Sequence, residues 1–311
     1  MELREIDRDV YVCLQEDRGL GTSNSGFINS GGGVVVDTFW DLPHTGQLID
    51  LYARVWPEPA RRVINTHHNG DHCWGNQLFP QAEIIGHRLC AENFNKENPR
   101  ELQRLRELAD SPDPVLSQLG KAFAAWDFRD IVPTPPTTLV DDRMEIDLGP
   151  TRAELLYVGP AHTAGDLVVH LPESRIVFTG DILFRLCAPI GWEGTYERWI
   201  AALDRLVALE PAIVVPGHGP LCGVEGLRDL KAYLQYVRSE SQRCFDAGLS
   251  VLEAAKTIDL GPYADWTEPE RIYFNVARAY REFRGEAYDA PINVATMFRG
   301  VAEVRAARGK R

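Results

Sequence analysis

The tightest constraint on what this chain can fold into is an eleven-residue stretch, Thr66-His67-His68-Asn69-Gly70-Asp71-His72-Cys73-Trp74-Gly75-Asn76. It comes directly after the apolar pair Val63-Ile64. Three imidazoles and one carboxylate fall within six residues of it. A strand that ends in such a cluster delivers several nitrogen and oxygen donors to one point at its carboxyl end. Neutral imidazole and carboxylate are ligands that suit zinc, iron or manganese. A polar loop with ordinary hydrogen bonds would account for one histidine, but not for this density together with further candidate ligands at later strand ends.

Three later segments repeat the arrangement. His162 comes after the apolar segment 153–157, within Gly159-Pro160-Ala161-His162-Thr163-Ala164-Gly165-Asp166. Asp181 comes after Ile176-Val177-Phe178, within Thr179-Gly180-Asp181. His218 comes after 212–215, within Pro216-Gly217-His218-Gly219-Pro220. Each is a strand, a glycine-bearing turn, and then one side chain able to bind a metal. Any one of them alone is weak; with 67–72 they describe four strand ends aimed at one pocket.

The remaining chain is read around these points. Residues 9–14 form a first expected strand, and 25–29 with 33–38 a hairpin turning at Ser30-Gly31-Gly32. Asp37, at the end of a β-branched run, is either a group supporting the ligands or the N-terminal cap of a helix containing Leu48, Ile49, Leu51 and Tyr52. Further strands are expected at 62–65, 83–86, 138–139, 144–146, 153–157, 167–171, 176–178 and 212–215. Residues 91–127 are expected to be polar helix with a break at Ser111-Pro112-Asp113-Pro114. Helix is also expected from Tyr196 and throughout the region beyond residue 223. This alternation predicts a layered α/β architecture with a helical appendage.

Composition narrows the function. The net charge is −12 over 311 residues, with no Lys/Arg run before the last few, so neither nucleic acid nor an anionic membrane is the expected partner. No apolar run is long enough to span a bilayer, and the start Met1-Glu2-Leu3-Arg4-Glu5-Ile6-Asp7 is charged. Six scattered cysteines without C-x-x-C spacing read as reduced thiols and point to a cytoplasmic address. Cys73 and Cys222 lie near ligand candidates but are expected to be small buried hydrophobes.

The ordered motifs resemble those of the metallo-β-lactamase-fold hydrolases, whose pattern runs T-H-x-H-x-D-H, then G-H-T-x-G-D, then G-D, then G-H. The likeness covers roughly residues 8–222. It implies an αβ/βα four-layer sandwich as a catalytic domain over residues 1–222, with a helical C-terminal extension over 223–311 packing on it. It assigns His67 and His162 to a first metal site, Asp71, His72 and His218 to a second, and Asp181 to both. The chain departs from the pattern at Asn69, where a second histidine is expected, and His68 occupies the adjacent position and cannot stand in. An amide oxygen at Asn69 is a poorer zinc donor than imidazole. A weakened two-metal centre, a single ion in the second site, or a harder metal in the first are the three outcomes. The first is expected, because His67, His162 and Asp181 would otherwise have little reason to converge.

The implied cofactor is zinc, as one or two ions, with iron or manganese as alternatives. Such an ion lowers the pKa of bound water from about 15.7 to near 7 and polarises a carbonyl. The implied reaction is hydrolysis of an ester, thioester or lactone-type acyl substrate, with Asp71 as the catalytic residue that orients the nucleophile and takes its proton. Trp74, Phe184 and Trp192, with Phe39 and Trp40 nearby, are candidates to line a pocket for a hydrophobic acyl group. The flanking residues 71–79 and 209–220 are similar to the thioesterase/cyclase members of aromatic polyketide pathways. Glyoxalase II shares the helical tail, but its glutathione-binding basic residues have no counterpart here. Two other classes stand beside hydrolysis: a mononuclear iron dioxygenase of the same fold, and a non-catalytic metal-binding member whose first site has degraded at Asn69. The apolar positions of 271–277 suit either a lid and packing element or a homo-oligomer surface.

Overall fold

The computed structural model describes residues 1–15, 19–191 and 193–309. Seven strands make the first sheet in chain order: β1 (Glu2–Asp7), β2 (Val10–Leu14), β3 (Ser25–Ile28), β4 (Val34–Val36), β5 (Arg62–Ile64), β6 (Glu83–His87) and β7 (Thr138–Val140). β1 to β4 are antiparallel neighbours, whereas β4 to β7 run parallel. The second sheet is built from β8 (Arg143–Asp147), β9 (Arg152–Tyr157), β10 (Leu167–Leu171), β11 (Ile176–Phe178) and β12 (Ile213–Val215), in the order β12-β11-β10-β9-β8. Within it, β11 and β12 are parallel and the other pairs antiparallel.

Side chains alternate across each strand, and here both faces are covered. Val34 and Val36 of β4, Ile64 of β5 and Ile85 of β6 point inward against Leu167, Val169, Ile176, Phe178 and Val215 of the second sheet. Their neighbours Val35, Val63 and Ile84 point outward onto Leu48 and Tyr52 of the helix Leu42–Tyr52. Val168, Val177 and Val214 point outward from the second sheet onto Trp199, Leu203 and Leu206 of the helix Tyr196–Ala208 and Leu227, Leu230 and Leu234 of the helix Val224–Asp246. Helix, sheet, sheet, helix is the four-layer order expected from the sequence.

The C-terminal helices extend that same outer core. Val237, Ala254, Ile272, Val276, Tyr280 and Val304 belong to the cluster that covers Val177 and Val214. The apolar face of the helix Ile272–Phe283 is therefore consumed inside the molecule, as packing and not as a free surface. Among the described residues, the region beyond 223 is broken by short connections into four α-helices, the last being Val294–Arg308. Among the same residues, no helix is long and apolar enough to cross a membrane.

Topology fixes the site. β4 and β5 are parallel, β11 and β12 are parallel, and β9 points the same way as β11 because each is antiparallel to β10. The residues that come after β4, β5, β9, β11 and β12 therefore emerge along one edge of the sandwich.

Candidate metal centre

The first cluster leaves β5 as an extended turn and enters the one-turn helix Gly70–Cys73. His67, His72, His162, Asp181 and His218, expected as ligands, are buried and meet; Asp71, expected among them, is the most open, with 15% of its side chain exposed. Asp181 lies at the middle. Its Oδ2 is 3.9 Å from His67 Nε2, 3.4 Å from His162 Nε2 and 3.3 Å from His218 Nε2, and its Oδ1 is 3.1 Å from His72 Nε2. Asp71 Oδ2 is 3.3 Å from His218 Nε2 and 3.7 Å from His72 Nε2. One carboxylate thus faces four imidazoles.

Three of the four imidazoles are aimed from behind, while His162 Nδ1 is buried with no hydrogen-bond partner among the described residues. His72 Nδ1 is 3.0 Å from Asp37 Oδ2, His67 Nδ1 is 3.0 Å from Thr66 Oγ1, and His218 Nδ1 donates to the Thr22 carbonyl at 3.1 Å. Asp37 also accepts from Thr66 N and Thr66 Oγ1. These contacts decide between the two roles left open for Asp37, which braces His72 and Thr66. The helix cap is Asp41, whose carboxylate accepts from His44 N.

Asn69 occupies the place of the absent histidine. Its Oδ1 is 2.9 Å from His162 Nε2, and its Nδ2 donates to Glu97 Oε1 at 2.6 Å. His68 points elsewhere; its buried ring is pushed down to about 4, chiefly by burial. Glu97 is the residue that sequence reasoning missed. It sits in a polar segment between two short helices, with no local pattern to mark it.

The aromatic expectations are corrected. Trp74 is fully buried and packs edge-on against Phe128, in a cluster with Trp40, Phe123 and Trp126, while Phe39 lies in the core under the first sheet. Phe184 is likewise buried, stacked on the His218 ring at 5.0 Å, so it backs that imidazole and lines no open pocket. Large apolar rings next to a polar cluster complete the core because that burial removes more apolar surface from water than a pocket wall would. Trp192 lies outside the described residues. Cys73 is buried and gives its thiol hydrogen to the carbonyls of His68 and Asn69, and Cys222 is half-buried, as small packing groups.

The family model of the metallo-beta-lactamase superfamily matches residues 18–218. The chain belongs to that superfamily. Among its relatives, a linear primary-alkylsulfatase of a Pseudomonas species is 22% identical over 84% of this chain and 55% of its own length. The acyl-coenzyme A thioesterase MBLAC2 of Homo sapiens is 28% identical over 62% of this chain and 71% of its own. Among solved structures, the inverting sec-alkylsulfatase Pisa1 of a Pseudomonas species superposes with a TM-score of 0.70 at 17% identity, covering 94% of this chain and 51% of that one. The chain spans about half the length of these alkylsulfatases.

Superfamily members bind divalent metals, and the donors found here fit one. His67, His72 and Asp181 offer ligand atoms within 4.8 Å of one another, and so do Asp71, His72 and His218. His67 Nε2 is buried with no hydrogen-bond partner among the described residues, a costly state for a polar atom. The electrostatics agree. Burial alone would strip the proton from His72 and His218, yet Asp181 and Asp71 raise His72 well above the usual histidine value and His218 to about 9. Burial would raise Asp71 and Asp181, but the same histidines hold both below the usual carboxylate value. His67, by contrast, is pushed well down, first by burial and then by the neighbouring His72. Clustered carboxylates thus draw protons onto two of the imidazoles, and a divalent cation would replace those protons.

Proposed function

We propose that this chain is a metal-dependent hydrolase of an ester, thioester or lactone-type acyl substrate with an apolar acyl part. The observation that carries the reading is Asp71, the partly open carboxylate of the cluster, set against the buried His72, His218 and Asp181. Zinc is the ion best suited to an imidazole-rich donor set, held by His67, His162, Asp181 and Asn69 on one side and by Asp71, His72, His218 and Asp181 on the other. A divalent ion there supplies Lewis acidity, polarising the scissile carbonyl and lowering the pKa of water.

The chain's own residues supply the rest. Asp71 orients a water molecule and accepts its proton as the oxygen–carbon bond forms; that proton then passes to the departing alkoxide or thiolate. Asp37, Thr66 and the Thr22 carbonyl keep the Nε2 atoms of His72, His67 and His218 turned inward, which orders the site before substrate arrives.

A cavity of about 1320 Å³ lies behind His218, on the side of Thr22 and Gly219, and its wall mixes Leu14, Leu20 and Trp126 with Gln15, Lys121 and Arg305. Leucine and indole surfaces there suit an apolar chain. Lys96, a cation close to the first site, is engaged by Glu193. Lys121 and Arg305 in the cavity wall are cations that an anionic ester could meet. Sulfate esters of apolar alcohols are the second reading, favoured by the alkylsulfatase likeness, which extends across the C-terminal helices.

The test is a panel of acyl esters, acyl thioesters, lactones and alkyl sulfates on metal-replete protein, with His72→Ala as the blank. The reading expects acyl turnover that falls at least about 10³-fold in the blank. Turnover of alkyl sulfates alone would select the second reading, and turnover unchanged by His72→Ala would overturn both.

A further inference from the structure

Asn69 is an unusual donor at a position that faces a metal centre, and its environment explains how it can serve. A carboxamide presents oxygen on one side and an NH₂ group on the other, two faces of nearly equal size and opposite polarity. Only the oxygen can face a cation. Nothing in the shape of the side chain selects that orientation, so its hydrogen-bond partners must.

We propose that Glu97 is a positioning residue that locks the Asn69 amide with its oxygen toward His162 and the first metal site. The proposal rests on the metal-centre reading above. Burial pushes the Glu97 carboxyl up to about 7 against the pull of its hydrogen bonds from Gly70 and Asn69, and it is the charged form, which only accepts hydrogen bonds, that fixes the amide. Glu97 Oε1 accepts from Asn69 Nδ2 at 2.6 Å, and Oε2 accepts from Gly70 N at 2.9 Å. With both oxygens engaged by donors, the Asn69 amide has one favourable orientation. Its Oδ1 then stands 2.9 Å from His162 Nε2, so that the two first-site donors contributed by different loops face each other.

The preceding residue makes a matching connection. Lys96 pairs with Glu193, whose other carboxylate oxygen accepts from Ala164 N at 2.8 Å, two residues beyond His162. Adjacent residues 96 and 97 therefore tie the 162–164 loop and the 69–70 turn to the same short segment. Sequence patterns could not mark this, since the link joins residues 27 and 28 positions apart through a bend without regular structure.

Glu97→Gln is nearly isosteric and carries the decisive difference. Its single oxygen can serve Gly70 N or Asn69 Nδ2, not both. If it serves Gly70, its NH₂ meets the NH₂ of Asn69, and the Asn69 amide turns over and presents nitrogen to the ion. Pairing Glu97→Gln with Asn69→Asp reverses the polarity of the link: the amide introduced by Glu97→Gln donates, and the new carboxylate shows an oxygen to the metal whichever way it is turned.

The test titrates metal-stripped protein with cobalt(II), reading equivalents bound and the visible ligand-field spectrum, with the thermal midpoint measured alongside. Wild type is expected to bind two equivalents. Glu97→Gln is expected to lose affinity for one of them by about 10-fold or more, with a changed spectrum, and Asn69→Ala to lose the same equivalent. The double variant Asn69→Asp/Glu97→Gln is expected to regain it. A Glu97→Gln protein with unaltered binding and spectrum would overturn the positioning role alone. So would a double variant that keeps its thermal midpoint and fails to recover the ion. Wild-type protein that binds no cobalt would overturn the metal-centre reading itself.

Discussion

Asp37 is no ligand, yet it holds three groups at once: His72 Nδ1, Thr66 N and Thr66 Oγ1. Burial pushes its carboxyl up, against the pull of His72. Losing such a support typically costs about 10–100-fold in metal affinity. Asp37→Ala is therefore expected to weaken metal binding by that factor, read by competition with a coloured chelator. His218 supplies a pH dependence. Its value of about 9, against 6.5 for an ordinary histidine, means that a proton occupies the ligand nitrogen below about pH 9. Metal affinity should accordingly climb between about pH 6 and 9, with proton release on binding measurable by calorimetry in two buffers. The stability sign comes from the raised value. In metal-free protein the protonated His218 adds stability in full below 6.5, and that contribution is lost as pH rises through about 9. The thermal midpoint of stripped protein should decline over that window. At this scale the ligands were legible because each comes after an apolar run. Asp37 was legible only as an ambiguity, and Glu97 not at all, since their roles are defined by contacts across the fold.

The turns between strand and ligand are as specific as the ligands. A Cβ on Gly217 would overlap Asp181 Oδ1 and the Gly180 carbonyl, so the β12 turn is pressed against the β11 turn. Gly217→Ala is expected to displace Asp181, at about 1–3 kcal/mol for overpacking. It should lower both metal occupancy and the denaturant midpoint. A normal metal content in that variant would mean that the turn can give way without moving Asp181. Strands β4, β5, β10, β11 and β12 were readable because burial on both faces leaves them as continuous apolar runs. β1 was not, because it is an edge strand whose exposed positions carry Glu2, Arg4 and Glu5. The breaks within 223–311 escaped the periodicity because short connections leave the apolar spacing on either side intact.

The second sheet and the C-terminal helices share one hydrophobic cluster, from Val177 and Val214 to Tyr280 and Val304. A fragment ending at residue 222 should therefore unfold without a cooperative transition by circular dichroism. A sharp transition in that fragment would show that the sandwich stands alone. Helix 294–308 also reaches the cavity wall through Arg305 and packs Phe298 against Phe123, so the appendage helps shape that cavity. The sequence could not show this, and placed aromatic residues in a pocket wall that the folded chain uses as core. Everything rests on six side chains, from strand ends far apart along the chain, holding divalent metal together. The most direct measurement is the metal content of protein purified without chelator, by elemental analysis. Two equivalents per chain are predicted, one of them removed first by mild chelation because Asn69 replaces an imidazole. A single firmly held ion would contradict the paired centre, and protein that holds no divalent metal would contradict the whole.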